Sequence, residues 1–118
     1  MQKIEQAVFD KNRIESLPQQ KASTETREGV LSGVRVIDFT HFVAGPLATM
    51  TLADFGADVI KVEAPVKGDD FRYYPPMDPE LPAQGAPYLW TNRNKRSIGL
   101  DMELPGGGAV AQALIAEA

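Results

Sequence analysis

His41 is the chain's single histidine, and it stands in the run DFTHFVAGP, just past a β-rich apolar segment. An imidazole can donate, accept or carry a proton near neutral pH, so a histidine at a strand–helix junction is a candidate for lining a ligand crevice. With no second histidine and no cysteine, zinc coordination is not expected. Asn92-Arg93-Asn94-Lys95-Arg96-Ser97 gathers three cations, two amides and a hydroxyl. Such a segment can hold phosphate or carboxylate oxygens, or stand as a solvated turn. Asp69-Asp70 follows Gly68 on a proline-rich stretch, and adjacent acids there read as solvated turn formers rather than an acid–base pair. Asp38, inside the first strand, is expected to anchor the loop after it by hydrogen bonds. Residues 106–111, GGGAVA, have the form of a dinucleotide fingerprint. They lie at the wrong strand–helix turn, behind Leu104-Pro105, so a glycine-rich helix start is the expected reading.

The elements that must position these groups are legible from 31 to 64. Val34 to Phe39 predict a buried parallel strand, which need not alternate cleanly. Gly45-Pro46 punctuates the turn, with Pro46 suited to a first helical position. Leu47 to Phe55 have helical spacing, and Ala44, Leu47, Ala48, Met50, Leu52, Ala53 and Phe55 are the expected apolar stripe. Gly56 is the expected C′ residue, and Asp58 to Glu63 the second strand. This is a βαβ unit, and such folds place ligands at the carboxyl ends of their strands.

Residues 65–87 hold six prolines, and no regular element is expected there. Tyr88 to Asn92 predict one helical turn. Arg96 to Met102 alternate as a third strand. A last helix opens at Pro105, with Val110, Ala113, Leu114 and Ala118 on its apolar side. The fold class expected is α/β: a Rossmann-like parallel sheet, incomplete as a domain. Residues 1–30 read as a flexible N-terminal extension with a short, weak helix from Lys3 to Ser16. Residues 31–118 form the folded part.

Composition narrows the function classes. The net charge of −4 argues against a nucleic-acid surface. The absence of cysteine removes disulfides and thiolate nucleophiles. No apolar run reaches the roughly 20 residues of a membrane helix. The first ten residues lack a secretory core. A cytoplasmic protein without membrane partners is the expectation.

Two stretches together resemble one family. LSGVRVIDFTHFVAGPLATMTLADFGADVIKVEAPVKGDDFR and PYLWTNRNKRSIGLDMELPGG, at matching spacing, are similar to the start of class III coenzyme A transferases, the CaiB/BaiF family. The resemblance covers residues 31–118. It implies an enzyme that moves coenzyme A between carboxylic acids, with acyl-CoA and carboxylates as substrates and no metal. It also implies a catalytic aspartate that attacks the acyl-CoA to give a mixed anhydride and then an aspartyl-CoA thioester. An interlocked homodimer with a large Rossmann-like and a small domain is implied too.

Residue by residue, His41, Phe42, Val43 and Ala44 match the turn beside the reactive thioester. Leu100, Asp101 and Met102 match the segment along the adenosine. Arg93, Lys95 and Arg96 match the basic turn. Three positions depart. Val43 stands where formyl-CoA transferase has a substrate-facing glutamine, which argues against formyl or oxalyl groups. Ala64 stands where the family has a nucleotide-binding arginine, and Glu103 where a lysine is frequent. None of the acids present matches the nucleophile. The chain is therefore expected to be an amino-terminal portion, inactive alone, with the aspartate further on and apolar sheet surface left uncovered. An acyl-CoA racemase of the same fold family and a non-catalytic remnant are the alternatives. A nicotinamide-binding domain is disfavoured by the missing glycine fingerprint at the first turn.

Overall fold

The computed structural model describes residues 11–12, 28–81 and 83–118. From residue 28 onward the order is β1 (Arg35–Asp38), α1 (Ala44–Asp54), β2 (Asp58–Glu63), a 3-10 turn (Asp70–Tyr73), α2 (Ala86–Asn92), β3 (Arg96–Gly99) and α3 (Pro105–Ala116). All three strands run parallel in the order β1-β2-β3. The expected βαβ unit is present, and β2 has the expected bounds. The weak helix and polar lead-in expected within residues 1–30 lie, apart from residues 11–12 and 28–30, outside the described residues.

Register decides which side chains share a face. Val36 pairs with Val59, Asp38 with Lys61, Lys61 with Ser97 and Glu63 with Gly99. Alternation puts Val36 and Asp38, Val59, Lys61 and Glu63, and Ser97 on one surface. That surface receives α1. Ala53, Ala57 and Val59 form the buried core cluster, flanked by Leu31 and Val36. The helix packs through small residues, which bring its backbone close to the sheet. The expected stripe was too wide: Met50 and Ala53 are buried, but Ala48, Leu52 and Phe55 are exposed. Helical spacing identifies a stripe but not how closely the helix approaches.

Other boundaries shift for local reasons. Helix α1 begins at Ala44, so Pro46 is its third residue rather than its first. Its missing N–H still falls among the four that have no intrahelical acceptor. At the other end, Gly56 adopts φ +100°. Its N–H donates to the Ala53 carbonyl, and that of Ala57 donates to Leu52. These two bonds form a Schellman turn, and the left-handed residue at C′ is the expected glycine.

The proline-rich stretch contains one regular turn that was not expected, Asp70–Tyr73, with Phe71 and Tyr73 buried. Strand β3 stops at Gly99, short of the expected Met102. Leu100 still donates to the Glu63 carbonyl at 2.9 Å, after which Asp101 turns the chain by accepting from the Glu103 N–H at 3.0 Å. In α3 the buried residues are Gly107 and Ala111, while Val110, Ala113 and Ala118 are exposed and Leu114 is half-buried. A Cβ on Gly107 would stand 1.7 Å from the Asp101 carbonyl oxygen, so this contact admits only glycine. GGGAVA thus lies at the start of α3, as expected, while the packing role of Gly107 was not foreseen. Order β1-β2-β3 leaves β1 and β3 as edges among the described strands, and Val34, Phe39, Trp90, Leu104 and Ile115 remain exposed.

Replacing Gly56 with alanine forces a Cβ into the left-handed region. Gly56→Ala is expected to lower unfolding free energy by about 1–2 kcal/mol. Urea denaturation followed by far-ultraviolet circular dichroism measures it, and an unchanged midpoint would remove the Schellman turn from the list of stability determinants.

Candidate ligand site at the carboxyl edge of the sheet

The strand β1 hands over to α1 through Phe39 to Val43, and this turn is braced from below. Asp38 is buried at the end of β1. One of its carboxylate oxygens accepts from the Thr40 N–H at 2.8 Å and the Thr40 hydroxyl at 2.5 Å. The other accepts from the Thr49 hydroxyl at 2.6 Å and from Lys95 Nζ at 3.0 Å. Asp38 thus anchors the following loop, as expected. Burial by itself would raise its pKa. The hydrogen bonds from Thr40, Thr49 and Lys95 outweigh that and hold it at about 2.

A second brace was not foreseen. Lys61, in the central strand, is 0% exposed. Its Nζ donates to the Thr40 carbonyl at 2.7 Å and pairs with Asp69 Oδ2 at 3.0 Å. Asp69 is also 0% exposed. It accepts from the Phe71 N–H at 2.9 Å and, across both oxygens, from the Phe42 N–H at 3.2 and 3.3 Å. The expectation of a solvated acid pair is therefore corrected for Asp69: a buried ammonium requires a buried counter-charge. Asp70 alone is exposed.

The bond from Phe42 to Asp69 holds an unusual backbone. Phe42 has φ +69°, which is uncommon for a bulky residue. Its ring stacks on Phe71 at 5.2 Å and meets Tyr74 edge-on at 5.1 Å. Phe42 stays 41% exposed, and His41, Val43 and Ala44 are exposed with it. The braced turn therefore presents its side chains outward, beside the N-terminus of α1, whose Val43 cap supplies no side-chain acceptor. Strained backbone of this kind gathers at ligand sites.

A third cluster closes the far side. Glu63 accepts from Arg72 through both oxygens, from Ser97, and from the Asp69 N–H at 3.0 Å. The Arg72 guanidinium lies 3.8 Å from the Tyr88 ring centroid. Burial would raise the Glu63 pKa, but the Arg72 hydrogen bonds and charge, with Ser97 and the Asp69 N–H, bring it down to about 2. Burial pushes the Tyr88 hydroxyl well above its usual range. Among the described residues no buried side-chain nitrogen or oxygen lacks a partner.

The expected site residues do not all meet. His41 to Ala44 and Leu100, Asp101 and Met102 both lie beyond the carboxyl ends of strands. Arg93, Lys95 and Arg96 lie at the entry to β3, the other end of that strand. Their cations are also committed within the chain. Arg93 pairs with Asp54 at 2.6 Å, and Arg96 with Asp58 at 2.6 Å. The Lys95 side chain is 2% exposed, with Nζ on Asp38, the Pro46 carbonyl at 2.8 Å and Asn92 at 2.9 Å. Burial lowers the Lys95 pKa, partly offset by Asp38. In this segment, read as an anion site or a solvated turn, each of the three cations is thus paired with an acid of the chain. Sequence reasoning missed Lys61, Glu63, Asp69, Arg72 and Tyr88. One signal was available: a lysine set among Val59, Ile60 and Val62 in the central strand demands a buried acid nearby. No group of three or more metal-ligating side chains occurs among the described residues. No helix among them is long and apolar enough to cross a membrane.

The described residues form a parallel α/β sheet with a braced, outward-facing turn at the carboxyl edge of its first strand, the edge at which α/β folds place their ligands. The chain belongs to CoA-transferase family III, whose family model matches residues 31–118. It is 45% identical over 86 residues to human succinyl-CoA:glutarate CoA-transferase, covering 73% of this chain and 19% of that protein. It is 49% identical over 85 residues to formyl-CoA:oxalate CoA-transferase of Afipia carboxidovorans, covering 72% and 20%. A crystal structure of a CaiB/BaiF family protein from Brucella suis superposes with a TM-score of 0.71 at 40% identity, covering 78% of this chain and 25% of that one. The chain thus spans about a fifth of the length of these curated relatives.

Two outcomes follow from the braces. Lys61→Met strands Asp69 as a buried, unpaired carboxylate and is expected to cost about 3–5 kcal/mol. The double variant Lys61→Met, Asp69→Asn should recover part of that loss in urea denaturation; no recovery would mean the pairing is not what the single change disrupts. Asp38 and Glu63 are held at about 2, below their ordinary 3.8 and 4.5. Folded-state pKa values below unfolded ones mean the unfolded chain binds more protons in acid, so stability rises with pH there. The melting temperature should be flat from pH 7 to 5 and fall steadily from about pH 4.5 toward 2, each group contributing on the order of 2 kcal/mol. A melting temperature unchanged at pH 3 would contradict this.

Proposed function

We propose that this chain supplies the amino-terminal part of the thioester site of a family III CoA-transferase, acting on acyl-CoA and carboxylate substrates. The observation that carries the reading is the braced turn His41–Ala44. It is held over buried Asp38, Lys61 and Asp69, faces outward, and lies at the sheet edge from which Leu100–Met102 also emerge.

In this reading the reaction uses an aspartate supplied outside the segment. Its carboxylate attacks the acyl carbonyl and displaces the CoA thiolate, giving a mixed anhydride. The thiolate then attacks the aspartyl carbonyl, releases the donor carboxylate and leaves an aspartyl-CoA thioester. The acceptor carboxylate reverses the sequence. The acids of this chain at the sheet edge suit other roles. Glu63 and Asp69 are buried and saturated with donors, which makes them counter-charges rather than nucleophiles. The turn's contribution is positional: the α1 N-terminus orients partial positive charge toward the carbonyl region. Val43 offers an apolar contact with no hydrogen bond, which favours acyl groups with aliphatic carbon over formyl or oxalyl. Assembly as an interlocked homodimer and a cytoplasmic setting belong to the same proposal.

Calorimetric titration of the 118-residue chain with coenzyme A tests the reading. Binding that weakens as salt is raised is expected, because the ligand is a polyanion. Absence of heat up to millimolar coenzyme A would remove the site from this segment.

A further inference from the structure

A polyanion must find a cation at the sheet edge of a chain whose net charge is −4. Most of the cations in residues 28–118 are committed elsewhere. Arg35 and Arg96 share Asp58, and Arg93 holds Asp54. Lys61 and Lys95 are buried on Asp69 and Asp38. Arg72 is held by Glu63 and lies against Tyr88. Lys67 differs from all of them in its place and its partner. It follows the carboxyl end of β2, and, although its 48% side-chain exposure is matched by the 47% of Arg93, it alone among these cations pairs, at 2.5 Å, with an acid more than half exposed, Asp70 at 52%. An exposed pair of this kind contributes about 0–1 kcal/mol, so its lysine exchanges partners at little cost.

The backbone around Lys67 is held firmly. Val66 has φ +66° and Gly68 φ +72°, so the lysine lies between two left-handed residues. A β-branched residue in that region is a genuine outlier, and outliers of this kind gather at ligand sites. The Tyr73 hydroxyl donates to the Lys67 carbonyl at 2.7 Å, and the Gly68 N–H donates to Ala64 at 3.0 Å. The loop also borders the other ligand-edge segment: a Cβ on Gly99 would stand 3.5 Å from Pro65 Cα, and Leu100 bonds to Glu63. Ala64 and Glu103, which flank this edge, carry no positive charge.

Resting on the reading of the edge as a coenzyme A site, we infer that Lys67 is its phosphate-contacting cation and that Asp70 is the internal anion the phosphate displaces. The ammonium leaves one carboxylate for a phosphate oxygen; no bond is made or broken. The lysine, displayed on a fixed loop, supplies the positive charge that neither Ala64 nor Glu103 offers.

Calorimetry with coenzyme A on the 118-residue chain and three variants tests this. Lys67→Met is expected to weaken binding about fivefold, by an amount that shrinks as salt is raised. Lys67→Arg should stay within about twofold of the parent, because charge rather than shape is required. Asp70→Asn should bind at least as tightly as the parent. Both side chains are exposed and the Tyr73 bond uses the lysine backbone, so each variant should fold, which circular dichroism verifies. If the parent binds and Lys67→Met binds equally well, the inference fails and the coenzyme A site stands. Failure of Lys67→Arg alongside Lys67→Met, or weaker binding by Asp70→Asn, also overturns it. If the parent does not bind, both the site and this inference fall.

Discussion

An ammonium group enclosed in the central strand is the constraint on which the rest of this structure depends. Lys61 sits in the central strand at 0% exposure, and its charge cannot reach water. Such a charge persists only with a paired acid and satisfied donors. Here the acid is Asp69 and the second acceptor is the Thr40 carbonyl. One side chain therefore ties the loop after β2 to the turn after β1. An apolar residue in its place would fill the volume equally well but would not specify which segment lies above it.

The same logic extends across the register row. Asp38, Lys61 and Ser97 are aligned on neighbouring strands, and Lys95 and Glu63 complete the charge balance above and beside them. Ion pairs buried this way add little net stability compared with apolar packing, but each becomes costly when broken. They act as registration devices, fixing loop against loop at the sheet edge where precision matters. Phe42 shows the result: its left-handed backbone is retained because its N–H has a buried carboxylate to donate to. The aromatic contacts with Phe71 and Tyr74 then hold a partly exposed ring in one place.

Internal pairing also decides what the surface can offer. A chain rich in acids commits its cations to them one by one, and an apparent cluster of positive charge is divided among Asp54, Asp38 and Asp58. Linear proximity of Arg93, Lys95 and Arg96 is thus no guide to a shared field. The side chains leave the turn in different directions, because a strand entry and a helix exit rotate them apart.

Much of the architecture was legible in the residues. The strand–helix–strand unit, the glycine at the end of α1, the anchoring role of Asp38 and the family itself follow from local patterns of about ten residues. Periodicity, turn chemistry and motif order are short-range properties, so the sequence by itself determined them. Burial of Lys61 and Asp69 against the turn after β1, where they meet Thr40 and Phe42 at separations of 21 and 27 positions, is a long-range property. So is the capture of Lys95 by Asp38 across 57 positions. Whether a charged side chain is solvated or enclosed depends on which segments pack over it, and only the tertiary structure decided that.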